Sequence, residues 1–360
     1  MKKLLSLILV ITLVACFFAG CSGSEEPVAP AAPAENGAAA APVAPAAPAA
    51  GTLQSKISPD EEYIVVNCLN NIEYFNAHKY GWEKAGELFG VKVSFTGPAD
   101  DDINAMVSAF ETAMAKEPAG ICVWGYDAAL DSYIVKAQEA GIPVVTFVGF
   151  SGETGDTYIG TSQYDIGYEG AKLYADLIGG QGEVAILTIT GSAMFEERQR
   201  GFEDGFAEYP GIKLVAVGDT KADSALAIST AKDIAIKYEN LNGFVCCDST
   251  GASGAATALA ELGLTGKVDV LGLDRNSDVL NMVKDGTITG TIAQNDVSMP
   301  YWAMVCLITQ NHVEIPLAGD NAAVGAKVTP NYIYTSVNLI TADTVDSYLD
   351  ANELYATNGF

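Results

Sequence analysis

From about Glu61 onward, short β-branched apolar runs alternate with segments of helical period, and the first repeat, Tyr63 to Gly97, sets the pattern. Tyr63–Cys68 (YIVVNC) carries three β-branched residues in an apolar run, the signature of a parallel strand buried on both faces. A polar loop, Leu69–Tyr74, follows. Tyr80, Lys84 and Leu88 then fall one helical turn apart, and Gly90 supplies a C-cap. Val91–Phe95 reads as the next strand. This is one complete βαβ unit, and its strand-to-helix loop lies at the carboxyl edge of the sheet, where open α/β sheets bind ligands.

The unit recurs. Asp100–Asp102 opens a helix running to Ala115, with acids where the helix dipole favours them. Strands are predicted at Gly120–Trp124, Val144–Phe147 and Tyr158–Gly160, with a helix over Ala129–Ala140. A helix over Tyr164–Leu177 begins a second series, with strands Glu183–Thr188, Lys213–Gly218, Gly243–Cys247, Val268–Leu273 and Ile288–Ala293. The helices between them lie near Phe195–Ala207, Ser224–Lys237, Ala252–Leu262 and Ser277–Lys284, followed by a helix at Ser298–Gln310 and a late strand over Tyr332–Leu339. Two successive series within 360 residues predict an α/β protein of two doubly wound, parallel-sheet lobes.

Residues 1–20 join Lys2 and Lys3 to an apolar run ending in small residues, the pattern of a signal peptide. Phe18-Ala19-Gly20-Cys21 followed by Ser-Gly-Ser resembles the bacterial lipoprotein box, which makes Cys21 the expected lipidation site and the cell membrane its anchor. The competing Cys16 is followed by apolar Phe17-Phe18 rather than polar chain. Residues 21–60 form an Ala/Pro-rich tether, whose prolines at 27, 30, 33, 42, 45 and 48 break any helix. The expected location is extracytoplasmic.

A net charge of −26 makes the chain a poor nucleic-acid ligand, since phosphate contact needs clustered Lys and Arg. Cys68, Cys122, Cys246 and Cys247 lie in or at the ends of apolar strands, where cysteine acts as a small buried hydrophobe. Adjacent Cys246 and Cys247 should point to opposite sheet faces. His78 and His312 are the only histidines, so neither a metal cluster nor a Ser-His-Asp triad is expected. The glycine motif at Gly180–Ala185 precedes a strand instead of following one, which is the wrong context for a dinucleotide. No cofactor and no enzymatic activity are expected.

Polar and aromatic residues do gather just after the strands. Asn71, Tyr74 and Phe75 follow the first; Trp124 and Asp127 the third; Phe150 the fourth. In the second series Glu196 and Arg198 follow the first strand, and Asp248 and Asp274 follow later ones. Asp248 and Asp274 could equally cap the following helices, and Trp124 could be core. Converging at one sheet edge, aromatics suit the C–H faces of a neutral polyol, while carboxylates and amides suit its hydroxyls.

NNIEYF (70–75), AGIPVVTF (140–147), YIGTSQYDIGYEGA (158–171), ERQRGF with YPGI (197–212), CDSTGASGAATAL (247–259), VLGLDRNSD (270–278) and DGTITGTIAQ (285–294) form an ordered set. Together they make the chain resemble the type I periplasmic binding proteins of the ribose-binding family, the substrate receptors of sugar ABC importers. The resemblance spans about Glu61 to Leu349. It implies two lobes joined by three crossovers, one formed by residues 61–161 and 295–328 and the other by 162–294 and 329–360. It also implies a monosaccharide or similar polyol held between them, with an ABC permease and ATPase as partners. Asn71, Tyr74, Phe75, Asp274 and, at a crossover, Gln294 match the family's ligand positions. Val148-Gly149 stands where ribose-type members have Asp-Arg, Glu196 replaces an arginine, and Cys247 an asparagine, so ribose itself is not implied. The alternative role is a sensory input subunit for a membrane kinase, with a sugar or furanosyl autoinducer as ligand.

Overall fold

The computed structural model describes residues 53–100, 102–125, 127–149 and 154–358. A short helix α1 (Leu53–Lys56) precedes β1 (Glu62–Val66), α2 (Tyr74–Phe89), β2 (Lys92–Thr96), α3 (Ile103–Met114), β3 (Gly120–Trp124), α4 (Asp131–Glu139), β4 (Val144–Phe147) and β5 (Thr157–Gly160). The second lobe follows with α5 (Gln163–Leu177), β6 (Gln181–Thr188), α6 (Ala193–Ala207), β7 (Gly211–Asp219), α7 (Ser224–Lys237), β8 (Leu241–Cys246), α8 (Ser249–Leu262), β9 (Asp269–Leu273), α9 (Ser277–Lys284) and β10 (Gly290–Gln294). The chain returns through α10 (Ser298–His312) and β11 (Tyr332–Tyr334), then ends in β12 (Val337–Thr341) and α11 (Val345–Asn358).

Two six-stranded sheets result, ordered β2-β1-β3-β4-β5-β11 and β7-β6-β8-β9-β10-β12, and only β12 runs antiparallel to its neighbour. Strand periodicity sorts each core. In β1, Tyr63 and Val65 pack toward Trp82 and Leu307, while Ile64 and Val66 pack toward Met106 and Phe110 on the opposite face. All four strand residues are fully buried, which contributes roughly 1.5–3 kcal/mol for each large side chain. Cys246 and Cys247 divide between the two faces of the second sheet as their adjacency requires. Gly90 caps α2 in the left-handed conformation at φ 71°.

The predicted strand over Tyr332–Leu339 is two strands in two different sheets. β11 pairs with β5 and β12 with β10, so the chain changes lobe at Thr335-Ser336. The expected boundary at 328/329 therefore falls too early, because 332–334 still belong to the first sheet. Hydrogen bonds fix this crossover. The Thr335 amide donates to the Gly160 carbonyl at 2.7 Å, and the buried Thr335 and Thr161 hydroxyls meet at 3.0 Å. The other two crossovers lie between β5 and α5 and between β10 and α10. The helix at 345–358, absent from the sequence reading, lies against α2 of the first lobe and α9 of the second.

Candidate functional site

The carboxyl ends of both sheets face one cleft. On the first lobe, Tyr74 opens α2, and its ring meets Phe75 edge-on at 5.1 Å. Phe75, fully buried, meets Trp124 at the end of β3 at 5.2 Å. His78 lies behind them against Phe147, and burial holds its pKa down to about 3, so it is a neutral core residue. Trp124 keeps its place because residue 149 is glycine: a Cβ there would come within 2.9 Å of the indole nitrogen and 2.5 Å of the Gly125 carbonyl.

The second lobe supplies the charge. Helices α5 and α6 approach so closely that a Cβ on Gly167 would lie 1.9 Å from the Arg198 carbonyl. This contact sets Arg198 beside Gln163, whose Oε1 accepts from Nε at 2.6 Å, while Nη1 donates to the Cys247 carbonyl at 2.8 Å. Arg198 is 6% exposed, and burial lowers its pKa against the opposing pull of Asp274, Tyr74 and Asp248. Asp274 follows β9 at φ 75°, a strained conformation for an aspartate. Its backbone is pinned there: its amide donates to Ile292 at 2.8 Å and its carbonyl accepts from the Thr291 hydroxyl at 2.7 Å. Burial raises the Asp274 pKa, Arg198 opposes that rise, and Asp248 and Asp278 reinforce it. Strain held by two hydrogen bonds, with no donor on the carboxylate among the described residues, is what a preorganised acceptor requires.

The structure brings Tyr74, Phe75, Trp124, Arg198, Asp248 and Asp274 to this cleft, with Gln294 buried at the second crossover. Asp248 is also the N-cap of α8, accepting from the Thr250 and Gly251 amides, so the capping reading holds for it. Asp274 accepts no such bond; α9 is entered through Asn276. Asn71, Asp127 and Glu196 are exposed and take no part in the cluster, and Phe150 lies outside the described residues. Asp127 instead caps a short 3-10 turn, its carboxylate accepting from the Ala129 amide at 2.8 Å. Asp127→Ala should therefore lower the melting temperature by the loss of a cap, about 1 kcal/mol, and leave ligand affinity unchanged. A tenfold affinity loss in titration would return Asp127 to the site.

Two features were not foreseen. Asp296, just past Gln294, is 2% exposed beside Tyr74, Asp274 and Arg275. At the lip, Glu73 of the first lobe accepts from the Ser277 amide at 3.0 Å, from the Ser277 hydroxyl, and from Asn352 of α11 at 3.2 Å. Arg275 donates to Asn352 at 2.8 Å and lies over the Tyr348 and Tyr355 rings, while Tyr355 also meets Tyr80 of α2. The lobes are thus fastened across the cleft. Glu73 could have been suspected as the lone acid in the first loop; nothing local marks Asp296.

The sequence profile of the periplasmic binding protein domain matches residues 63–310. The chain belongs to that family. An arabinose-binding protein, AraP, from Geobacillus stearothermophilus superposes on this binding protein with a TM-score of 0.74 at 32% identity, over 81% of this chain and 99% of that one. The sugar-binding protein of a sugar ABC transporter from Bacillus halodurans gives 0.73 at 29%, over 80% and 100%. The D-allose-binding periplasmic protein of Escherichia coli (strain K12) is 29% identical over 67% of this chain and 81% of its own. No helix among the described residues is long and apolar enough to cross a membrane.

Proposed function

We propose that this binding protein is the extracytoplasmic, lipid-anchored receptor of a sugar ABC importer. It captures a monosaccharide or similar small polyol between its lobes and presents the closed form to the permease and its ATPase. The observation that carries the reading is the interlobe cluster in which Arg198 and Asp274 lie near Tyr74, whose ring packs on Phe75 and, through it, adjoins Trp124. One fork of donors, one carboxylate acceptor and flat apolar rings match hydroxyls and C–H faces on a single neutral ring. Relatives that bind arabinose and allose, and one belonging to a sugar ABC transporter, support the same class. Transport is favoured over sensing on that last relative.

Calorimetric titration with L-arabinose, D-allose, D-ribose and xylitol tests the proposal; a receptor of this kind should bind one of them at about micromolar Kd, near −8 kcal/mol. No heat with any sugar, together with no small molecule in native mass spectrometry of the purified protein, would sink it. Asp274→Ala should weaken the bound sugar more than tenfold, since a charged acceptor contributes roughly 1.5–3 kcal/mol per hydrogen bond. If that variant melts lower yet binds equally well, Asp274 is structural only.

Anchoring is assigned to Cys21, which with the signal peptide and most of the tether lies outside the described residues. Cys21→Ser should abolish incorporation of labelled fatty acid, whereas Cys16→Ser should preserve it. The reverse pattern would move the box to Cys16.

A further inference from the structure

Beside the Arg198 cluster, on the side of the first and third crossovers, lies an open cavity of about 680 Å³ bounded by both lobes. It touches the proposed sugar site at two points. Trp124 lines it and is the ring that packs on Phe75, and Gln163 lines it and is the residue that orients Arg198. Its walls combine Tyr158, Tyr164, Tyr334 and Met194 with the polar groups of Ser162 and Glu197.

Three observations separate this cavity from a plain solvent entrance. Met194 and Tyr334 are 40% and 53% exposed, large apolar surfaces that the lobes do not cover. The rings are held in place: Tyr334 stacks on Tyr332 with ring planes 17° apart and meets Tyr158 edge-on, and Tyr164 stacks on Tyr168 with its hydroxyl bonded to Asp204. Rings already fixed lose little freedom when a ligand lies against them. Third, Gly149 keeps the corner beside Trp124 clear, because any side chain there would strike the indole. A volume near 700 Å³ is the size that takes a drug-sized ligand rather than one pyranose ring.

We infer that this cavity is a second sugar subsite, so that the preferred ligand is a neutral glycoside of at least two rings, one in the Arg198–Asp274 site and the next against Trp124 and Tyr334. The inference rests on the sugar-receptor reading and deepens it. Aromatic walls suit the C–H faces of the second ring, and Ser162 suits a hydroxyl. The Glu197 carboxylate is paired with Arg200, which lies over the Tyr164 ring, so this wall carries no net charge and suits a neutral ring.

The test is a paired titration of the intact protein with L-arabinose and arabinobiose, D-xylose and xylobiose, and D-galactose and galactobiose. One disaccharide should bind at least tenfold more tightly than its own monosaccharide. Tyr334→Ala and Tyr164→Ala should each remove most of that gain and leave monosaccharide affinity within twofold, while Tyr164→Phe keeps the gain. Because Tyr334 ends β11 near a crossover, Tyr164→Ala decides if Tyr334→Ala weakens both ligands. A monosaccharide that binds as tightly as its disaccharide reduces the cavity to an entrance and overturns the inference while the receptor reading stands. A disaccharide gain untouched by both tyrosine variants overturns it as well. Failure of every sugar in both sets overturns the inference and the receptor reading together.

Discussion

Arg198→Ala should reduce sugar affinity more than a hundredfold and also destabilise the unliganded protein. The guanidinium is nearly buried, held by the Gln163 side chain and the Cys247 carbonyl, with Asp274 and Asp248 within its field. Donors not used in those two bonds are the ones a ring hydroxyl can meet, and hydrogen bonds to a charged partner contribute roughly 1.5–3 kcal/mol each. Two such bonds exceed a factor of a hundred. The stability loss has a separate origin. With the cation gone, the mutual repulsion of Asp274 and Asp248 loses its counter-charge, and the Gln163 side chain and Cys247 carbonyl lose their donor; a buried polar group left without its partner costs about 1–3 kcal/mol. Arg198→Lys separates the two effects. It returns the charge without the planar fork, so melting should recover most of the loss while affinity stays low. Binding of Arg198→Ala within tenfold of the parent would remove Arg198 from the ligand site.

Wherever local pattern decides structure, the sequence is readable. The β1–α2–β2 unit follows from a β-branched run, a helical stripe and Gly90, and each is a matter of a few consecutive residues. Alternation at the end of β8, carried one residue past it, likewise separates Cys246 from Cys247. What escapes is decided by distant partners. Residues 332–339 are apolar enough to read as one strand, but whether they stay in one sheet depends on Thr335 meeting Gly160 and Thr161, some 170 residues earlier in the chain. Helix α11 carries Val345, Tyr348, Leu349 and Tyr355 at helical spacing, a stripe interrupted by Asn352. That asparagine becomes intelligible only once Arg275 and Glu73 are seen beside it. The site divides in the same way. Residue type and position after a strand locate Tyr74, Arg198 and Asp274, but the same rule also selects Asp127 and Glu196, which the fold leaves exposed.

Asp296→Asn should stabilise the unliganded protein at pH 8 and do almost nothing at pH 4. Asp296 sits where β10 gives way to α10, buried at the crossover, with one carboxylate oxygen lacking any hydrogen-bond partner among the described residues. The Tyr74 hydroxyl bonds to the carboxyl group, Arg275 provides a partial counter-charge, and Asp274 opposes ionisation. Burial outweighs the favourable groups and pushes the Asp296 pKa from 3.8 up to about 8. The sign follows from proton counting. Between about pH 4 and pH 8 the folded state holds a proton that the unfolded chain releases, so stability falls as pH rises through that window. Below it both states are protonated and the group is neutral in effect; above it the full cost of a buried carboxylate is present. Each pH unit in the window costs about 1.4 kcal/mol, which sets a ceiling of roughly 5 kcal/mol by pH 8. Asparagine keeps the shape and an acceptor for Tyr74 but cannot ionise, so the variant should lose that slope. Melting of both proteins at pH 4, 6 and 8 without ligand measures the difference. Parallel melting curves across the three pH values would mean that Asp296 is already compensated, with Arg275 holding it ionised at neutral pH.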